Sequence, residues 1–256
     1  MTSRAARYAA ARRRGSGAAS RRDGTTGLQS VIPPLRHEDP TLKGSIDAVL
    51  FDFGGVFTAS PFDAAEELGA SLGAAPGRLV EIVFGPYHED TDHPWHRLER
   101  GEIPFLEARD AILALGRAEG IDADPFRLFA LMGRDDGARA PMVERAQRIV
   151  ARGYRTALVT NNAHEFREGW RRLVPADELF QVIVDSSEVG MRKPDPRIFA
   201  LALERLGGIA PERALFLDDA ASNVAAAAKL GIRSVLVRSD LSDALAALDA
   251  LLETAP

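Results

Sequence analysis

The sequence predicts an α/β protein whose core is a Rossmann-like, doubly wound parallel sheet, with an α-helical cap inserted into it. Five short apolar segments have the length and composition of buried β-strands. Segments with helical periodicity separate them, and this alternation is typical of a mostly parallel sheet with helices on both faces. The five predicted strands span residues 46–51, 155–160, 181–184, 214–217 and 234–237.

The stretch between the first two predicted strands contains no comparable apolar strand segment. It carries helical patterns instead, for example over Phe105–Ala118 and Pro125–Met132. We therefore predict a helical cap over residues 61–137 and a core formed by residues 45–60 and 138–253. Ligands of open parallel sheets bind outside the carboxyl ends of the strands, and the predicted cap departs from that edge. This position predicts a lid over the site.

The first 44 residues differ from the rest of the chain in composition. They hold nine Lys and Arg residues against three acidic residues, so the remainder carries a net charge of −11 within an overall −5. Because this stretch has few large apolar side chains, we predict a disordered basic tail over residues 1–44. Its Arg-rich character also resembles an organellar transit peptide, which is the minority alternative. The acidic remainder predicts no nucleic-acid partner.

The amino-acid composition excludes several classes of site. The chain has no cysteine, which rules out disulfides, thiolate nucleophiles and sulfur-ligated zinc. No apolar run reaches the roughly 18 residues needed to span a bilayer, so we expect no membrane insertion. We expect a cytoplasmic protein that acts on a small molecule. Whether it forms a homo-oligomer is left open by the sequence.

Polar residues follow three of the predicted strands at the point where each strand ends. Because the carboxyl ends of parallel strands meet at one edge of a sheet, we expect these side chains to converge. A lysine joins them from a loop whose Gly and Pro residues precede a predicted helix. The converging residues are Asp52, Thr160, Asn161, Lys193, Asp218 and Asp219.

This set of residue types suits phosphoryl chemistry. Carboxylates bind a hard Mg²⁺ ion while leaving positions for water and a phosphate oxygen. A carboxylate such as Asp52 can attack phosphorus and form an aspartyl-phosphate, which divides hydrolysis into two easier steps. Thr160, Asn161 and nearby backbone N–H groups would hold the transferring group. The glycine pair Gly54 and Gly55 permits a sharp turn after the first strand and is predicted to help bind phosphate.

At these residues the chain resembles the haloacid dehalogenase-like (HAD) superfamily of hydrolases, in the branch with a small helical cap. The resemblance implies Mg²⁺ as cofactor and, as substrate, a small phosphorylated metabolite such as a sugar phosphate. It also implies Asp52, the Gly54 carbonyl and Asp219 as Mg²⁺ ligands, with Asp218 and Asn223 supporting them. Thr160 and Lys193 would act beside the Asp52 nucleophile. The matching segments are 51–56, 159–161, Lys193, and 216–219 with Asn223.

One position departs from the superfamily pattern. An aspartate that serves as general acid and base usually stands two residues after the nucleophile, and here that position is Gly54. Proton transfer of this kind contributes about 10²- to 10⁴-fold. Three alternatives to a phosphatase therefore stay open: a metal-independent dehalogenase, a catalytically silent domain that binds phosphate ligands, and, more weakly, a phosphotransferase or mutase.

A polar segment of the predicted cap carries three of the five histidines of the chain. We predict that His88, His96 and Arg97 contact the substrate from this segment, because its spacing fits no recognised zinc pattern. Trp95 has two readings, an anchor in the apolar packing of the cap or a surface on which substrate stacks.

Overall fold

The structure is a computed structural model that describes residues 45–132 and 137–253. The predicted basic tail and part of the predicted return from cap to core lie outside these residues. Five strands are present in the described part of the chain. They are β1 (Ala48–Phe51), β2 (Arg155–Thr160), β3 (Val182–Asp185), β4 (Ala214–Asp218) and β5 (Arg233–Leu236).

The strands form a single parallel sheet in the order β3-β2-β1-β4-β5. Strand β1 is central, and its last residue, Phe51, pairs in register with Leu158 of β2 and Leu217 of β4. The chain moves outward from β1 in one direction through β2 and β3, and in the other through β4 and β5. This reversal puts a crevice at the carboxyl end of β1, where ligands of such sheets bind.

Helices cover both faces of the sheet. The helices of the described residues are α1 (Pro61–Ser71), α2 (Arg78–Phe84), α3 (Pro94–Glu99), α4 (Phe105–Ala118), α5 (Pro125–Met132), α6 (Ala140–Ala151), α7 (Arg167–Trp170), α8 (Ala176–Leu179), α9 (Ser186–Val189), α10 (Pro196–Arg205), α11 (Ala221–Lys229) and α12 (Ser242–Glu253). Along β1, Val49 and Phe51 join an apolar cluster with α6 and α12, while Ala48 and Leu50 join a second cluster with α10 and α11. Alternate residues of the strand are thus buried on opposite faces.

Helices α1 to α5, which we call the helical insertion, pack around an apolar cluster of their own. Leu68, Ile82, Leu98, Ile112 and Leu128 contribute to it, one from each helix. The apolar spacing of these short helices therefore serves their mutual packing. The proposed limits of a cap at residues 61 and 137 remain a prediction.

The α/β fold class predicted from sequence is confirmed, while some element boundaries differ. Strand β2 and helices α4 and α5 have their predicted bounds. Strand β3 is displaced by one residue because its polar last residue, Asp185, still pairs with Thr160. Strand β1 begins at Ala48, two residues later than predicted. Apolar composition locates a strand, whereas the pairing with its neighbours decides where it ends.

In the described part of the chain, no helix combines the length and the apolar character that crossing a membrane requires.

Candidate active site

Three carboxylates meet at the carboxyl edge of the sheet. Asp52 follows β1, Asp218 ends β4, and Asp219 comes directly after it. The backbone N–H of Asp52 donates to Leu217 O at 2.8 Å, which aligns the ends of the two strands. One oxygen from each carboxylate lies within 4.8 Å of the others, as in a metal site. The predicted convergence of these acids is present in the structure.

Lys193 lies between two of these carboxylates and is completely buried. Its Nζ is 2.7 Å from Asp52 Oδ1 and 2.6 Å from Asp218 Oδ2. Burial acts to lower the pKa of Lys193, but the charges and hydrogen bonds of the two carboxylates outweigh it and hold that pKa above its ordinary value. The side chain is therefore an ammonium group directed at Asp52.

Asp218 is saturated with donors. Its Oδ2 accepts from Lys193 Nζ, its Oδ1 accepts from the Ala220 N–H at 2.7 Å, and Asn223 Nδ2 is 3.1 Å from both oxygens. This carboxylate is consequently committed to fixing Lys193 and the start of α11. Asp52 and Asp219 are left as the acids that can face a ligand.

Those two acids carry unfavourable negative charge. Burial raises the pKa of Asp52 to about 7, Asp218 adds to the rise, and Lys193 opposes it. Burial, followed by repulsion from Asp218 and Asp52, raises the pKa of Asp219 well above its ordinary value. Three carboxylates around one ammonium leave an excess of negative charge, which a bound cation would neutralise.

Asn161 positions the lysine loop. Its Oδ1 accepts from the Lys193 N–H at 2.7 Å, and its Nδ2 donates to Lys193 O at 3.0 Å. This amide thus holds both backbone polar groups of Lys193, and Nδ2 also donates to Tyr87 OH at 3.2 Å. Thr160, just before it, is buried at the end of β2. Sequence reasoning placed Asn161 in the phosphate cradle without revealing this link.

Comparison with known proteins decides the family. The profile of haloacid dehalogenase-like hydrolases matches residues 46–231, which is most of the chain. This chain belongs to the haloacid dehalogenase-like hydrolase family. It is 30% identical over 220 residues to the phosphorylated carbohydrates phosphatase of Thermotoga maritima, in an alignment that covers 80% of this chain and 91% of that protein.

Longer relatives and solved structures agree with this assignment. The chain is 33% identical over 199 residues to acyl-CoA dehydrogenase family member 10 of Mus musculus, covering 75% of this chain and 18% of that protein. It spans less than two fifths of the length of this protein and of three mammalian bifunctional epoxide hydrolases that it also matches. A predicted HAD-like family hydrolase from Porphyromonas gingivalis has the same fold, with a TM-score of 0.57, 21% identity and coverage of 80% of this chain and 98% of that one.

The two glycines after the Asp52 of this hydrolase have different steric surroundings. Gly55 has a φ of +69°, and a Cβ there would lie 2.0 Å from Asp219 Oδ2. Any side chain at Gly55 would thus displace the carboxylate. A Cβ at Gly54 would meet only Pro61, at 3.7 Å from its Cδ. Steric crowding therefore does not explain the missing side chain at Gly54.

Ser60 is a site residue that sequence reasoning missed. Its Oγ donates to Asp219 Oδ2 at 2.5 Å and also accepts from the Phe62 N–H as the N-cap of α1. The available signal was a serine followed by Pro61 at the start of the predicted helical cap. That signal indicates a helix cap but not the second contact, which joins residues 159 positions apart.

A cavity of about 100 Å³ is lined in part by Asp52. Its walls combine the acids and amides of the sheet edge with aromatic residues of the helical insertion. It is lined by Asp52, Gly54, Pro61, Phe62, Phe84, Tyr87, Trp95, Glu99, Phe129, Met132, Asn161, Asp219 and Asn223. A larger depression of about 550 Å³ lies beside Ser60, but none of the three clustered carboxylates lines it.

The structure does not bring His88, His96 and Arg97 to this cavity. The side chain of His88 is 76% exposed, and Arg97 is on the surface with Glu102 as its ion-pair partner at 3.5 Å. His96 is turned into the packing of the insertion, where its Nδ1 accepts from the Thr91 N–H at 3.0 Å. Burial, followed by the charge of a neighbouring arginine, lowers the pKa of His96 to about 3, so it is neutral.

Trp95 is an anchor in the packing of the insertion, and its stacking on substrate stays a prediction. Its ring packs against Phe84 with centroids 5.0 Å apart, and it also lines the same cavity as Asp52. Within residues 45–132 and 137–253, the three carboxylates are the only group of three or more acids, histidines or cysteines arranged to hold a metal ion. The histidine segment of the insertion forms no such group.

Proposed function

We propose that this hydrolase cleaves the phosphomonoester of a small metabolite, with Asp52 as nucleophile and Mg²⁺ as cofactor. The observation that supports this most strongly is the position of Asp52, which lines the cavity, lies 2.7 Å from the Lys193 ammonium and belongs to the same carboxylate cluster as Asp219. The bacterial relative that aligns over nearly its whole length is named a phosphatase of phosphorylated carbohydrates, which supports the same reaction class.

The residues present fit a hard divalent cation. Asp52 and Asp219 provide carboxylate oxygens that are not already saturated, and the Gly54 carbonyl follows Asp52 in the turn. Such oxygen ligands suit Mg²⁺. When bound, the ion neutralises charge on the phosphate and polarises its oxygens. Asp218 would contribute through Lys193, since its own oxygens are occupied.

The reaction would proceed in two displacements at phosphorus. An oxygen of Asp52 attacks phosphorus, the bond from phosphorus to the ester oxygen breaks, and the departing alkoxide takes a proton from solvent water and leaves as the alcohol, so that an aspartyl-phosphate remains. Water then attacks phosphorus and gives up a proton to solvent, the bond to Asp52 breaks, and inorganic phosphate leaves with the carboxylate regenerated. The Lys193 ammonium stabilises the negative charge of the transferring group, and Thr160 and Asn161 hold it by hydrogen bonds.

A second candidate is metal-independent dehalogenation, which Gly54 favours because a departing halide needs no proton. Asp52 would then attack carbon and displace the halide. The cluster of three carboxylates around a single ammonium weighs against this candidate, because such a cluster is arranged to hold a cation that dehalogenation does not need. Chloride release from 2-chloro acids that EDTA leaves unchanged would establish it. A silent binding domain is the third candidate.

The deciding experiment measures phosphate release from a panel of phosphorylated metabolites, with Mg²⁺ and with EDTA. We compare the wild type with Asp52→Asn and with Asp110→Asn, a matched control whose side chain is 78% exposed on α4. The proposal requires turnover that Asp52→Asn and EDTA each reduce to background and that Asp110→Asn retains. Equal release by all three proteins would refute it.

A further inference from the structure

We propose that the cavity selects a phosphomonoester whose leaving group is compact and apolar, in preference to a polyhydroxylated sugar phosphate. This inference rests on the proposed phosphatase function and specifies the substrate class of the same site. It comes from the wall opposite Asp52, which the helical insertion supplies.

That wall is built from interlocking apolar side chains. Phe84 is central to it, with its ring 5.2 Å from that of Phe62 and 5.0 Å from that of Trp95, both edge-on. The ring of Phe129 continues the wall 6.3 Å from Trp95, and Met132 completes it. A leaving group that enters this space contacts carbon atoms, so burial of its own apolar surface stabilises the complex.

The polar groups of the insertion that line the cavity are already paired with one another. Glu99 Oε1 accepts from Tyr87 OH at 3.1 Å and from Trp95 Nε1 at 2.8 Å, while its Oε2 accepts from Arg192 Nε at 2.6 Å. Tyr87 OH itself accepts from Asn161 Nδ2. The donors on this wall are therefore engaged in protein hydrogen bonds rather than presented to a ligand.

Sugar hydroxyls would consequently be penalised. Each hydroxyl moved from water to this wall loses its hydrogen bonds without replacement, which costs about tenfold or more in affinity. The cavity of about 100 Å³ also limits size. An engineered apolar cavity of about 150 Å³ accommodates benzene, so this smaller cavity favours a leaving group smaller than a six-membered ring.

Two substrate pairs test the inference, with a primary ester in every member and a similar size within each pair. n-Propyl phosphate and glycerol 1-phosphate share a three-carbon chain and a primary ester. Cyclohexylmethyl phosphate and glucose 6-phosphate share a six-membered ring on a primary ester carbon. In each pair we expect the hydroxyl-free member to have the higher kcat/KM with Mg²⁺, by at least about tenfold. We expect both ring esters to react more slowly than the three-carbon esters, because the cavity is small.

Variants of the wall should change this ratio. Phe129→Asn introduces polar atoms and should lower the preference for the hydroxyl-free member by about tenfold. Phe126→Asn is the matched control, because Phe126 lies one turn earlier on α5 and is 49% exposed. Met132→Gln, which nearly preserves side-chain shape, should act in the same direction as Phe129→Asn and serves if that variant does not fold.

The outcomes separate this inference from the proposed function. Phosphate release that needs Asp52 and Mg²⁺, but with equal or higher kcat/KM for the sugar and glycerol esters, would overturn the inference and leave the phosphatase intact. An equal ratio in the wild type, Phe129→Asn and Met132→Gln would also overturn it. If Asp52→Asn left release from every ester unchanged, both proposals would fail.

Discussion

Removing the charge of Glu99 should destabilise the helical insertion strongly. Glu99 lies on α3 and pairs with Arg192, which precedes the lysine of the active site by one residue, and both side chains are buried. In Glu99→Gln, the amide oxygen can still accept from Trp95 and Tyr87 if it takes the Oε1 position. The amide NH₂ group then faces the N–H of Arg192 Nε, so two donors meet and neither has an acceptor.

The expected magnitude follows from the burial of the pair. Arg192 Nε is 2.6 Å from Glu99 Oε2, whereas the other carboxylate near this guanidinium, that of the partly exposed Asp90, has its Oδ1 3.7 Å from Arg192 Nη1. Removing one partner of such a buried pair costs about 3–5 kcal/mol, because the other charge loses its compensation. With a urea dependence of about 2–3 kcal/mol/M, the unfolding midpoint should fall by roughly 1–2.5 M.

Tryptophan fluorescence can follow this transition locally once a single tryptophan remains, and the chain has only two. In a Trp170→Phe background, the signal comes from Trp95, whose Nε1 donates to Glu99. The control is Glu102→Gln. Glu102 also forms ion pairs, but its own side chain is 43% exposed.

Adding Arg192→Met to Glu99→Gln should restore most of the lost stability, because it removes the uncompensated charge. If Glu99→Gln shifts the urea midpoint by less than about 0.3 M relative to Glu102→Gln, the reasoning from burial is refuted.

Three further predictions concern single positions. Gly55→Ala should reduce phosphate release by about 100-fold at unchanged circular dichroism, because its Cβ would occupy the place of the Asp219 carboxylate; retained activity would contradict this. Gly54→Asp, which has room beside Pro61, should raise turnover of alkyl phosphates up to about 100-fold while aryl phosphates with good leaving groups change little, as measured by kcat. Because burial lowers the pKa of His96 from 6.5 to about 3, only the unfolded chain binds this proton between those pH values. The stability of the wild type should therefore fall more steeply than that of His96→Gln from pH 6.5 towards pH 3. If the urea midpoints of the two proteins fell equally over this pH range, His96 would not contribute to the pH dependence of stability.

The sequence was sufficient for the fold class and for the residue types of the site. Asp52, Asp218 and Asp219 could be placed together because each follows an apolar segment that reads as a parallel strand, and such strands end at a common edge. Lys193 could be added because Gly and Pro residues mark its loop. These inferences need only local periodicity and a general rule of sheet topology.

The sequence did not indicate which side chains of the helical insertion point into the cavity. His88, His96 and Arg97 share a polar segment with Trp95, yet of these only Trp95 lines the cavity. Short helices joined by irregular segments give no periodicity long enough to identify the inward face. The hydrogen bond from Ser60 to Asp219 could not be predicted for a related reason, because it depends on where α1 packs against the sheet edge.

What the sequence determined by itself is the set of chemical groups at the sheet edge, because strand order and register bring the ends of β1, β2 and β4 together. Only the tertiary structure decided which groups remain available to a ligand. The oxygens of Asp218 are occupied by hydrogen bonds from Lys193 and its neighbours. Glu99 accepts a hydrogen bond from Arg192, which lies 93 residues further along the chain. Saturation of this kind depends on distances between elements remote in the chain, and the packing of the helical insertion on the core sets those distances.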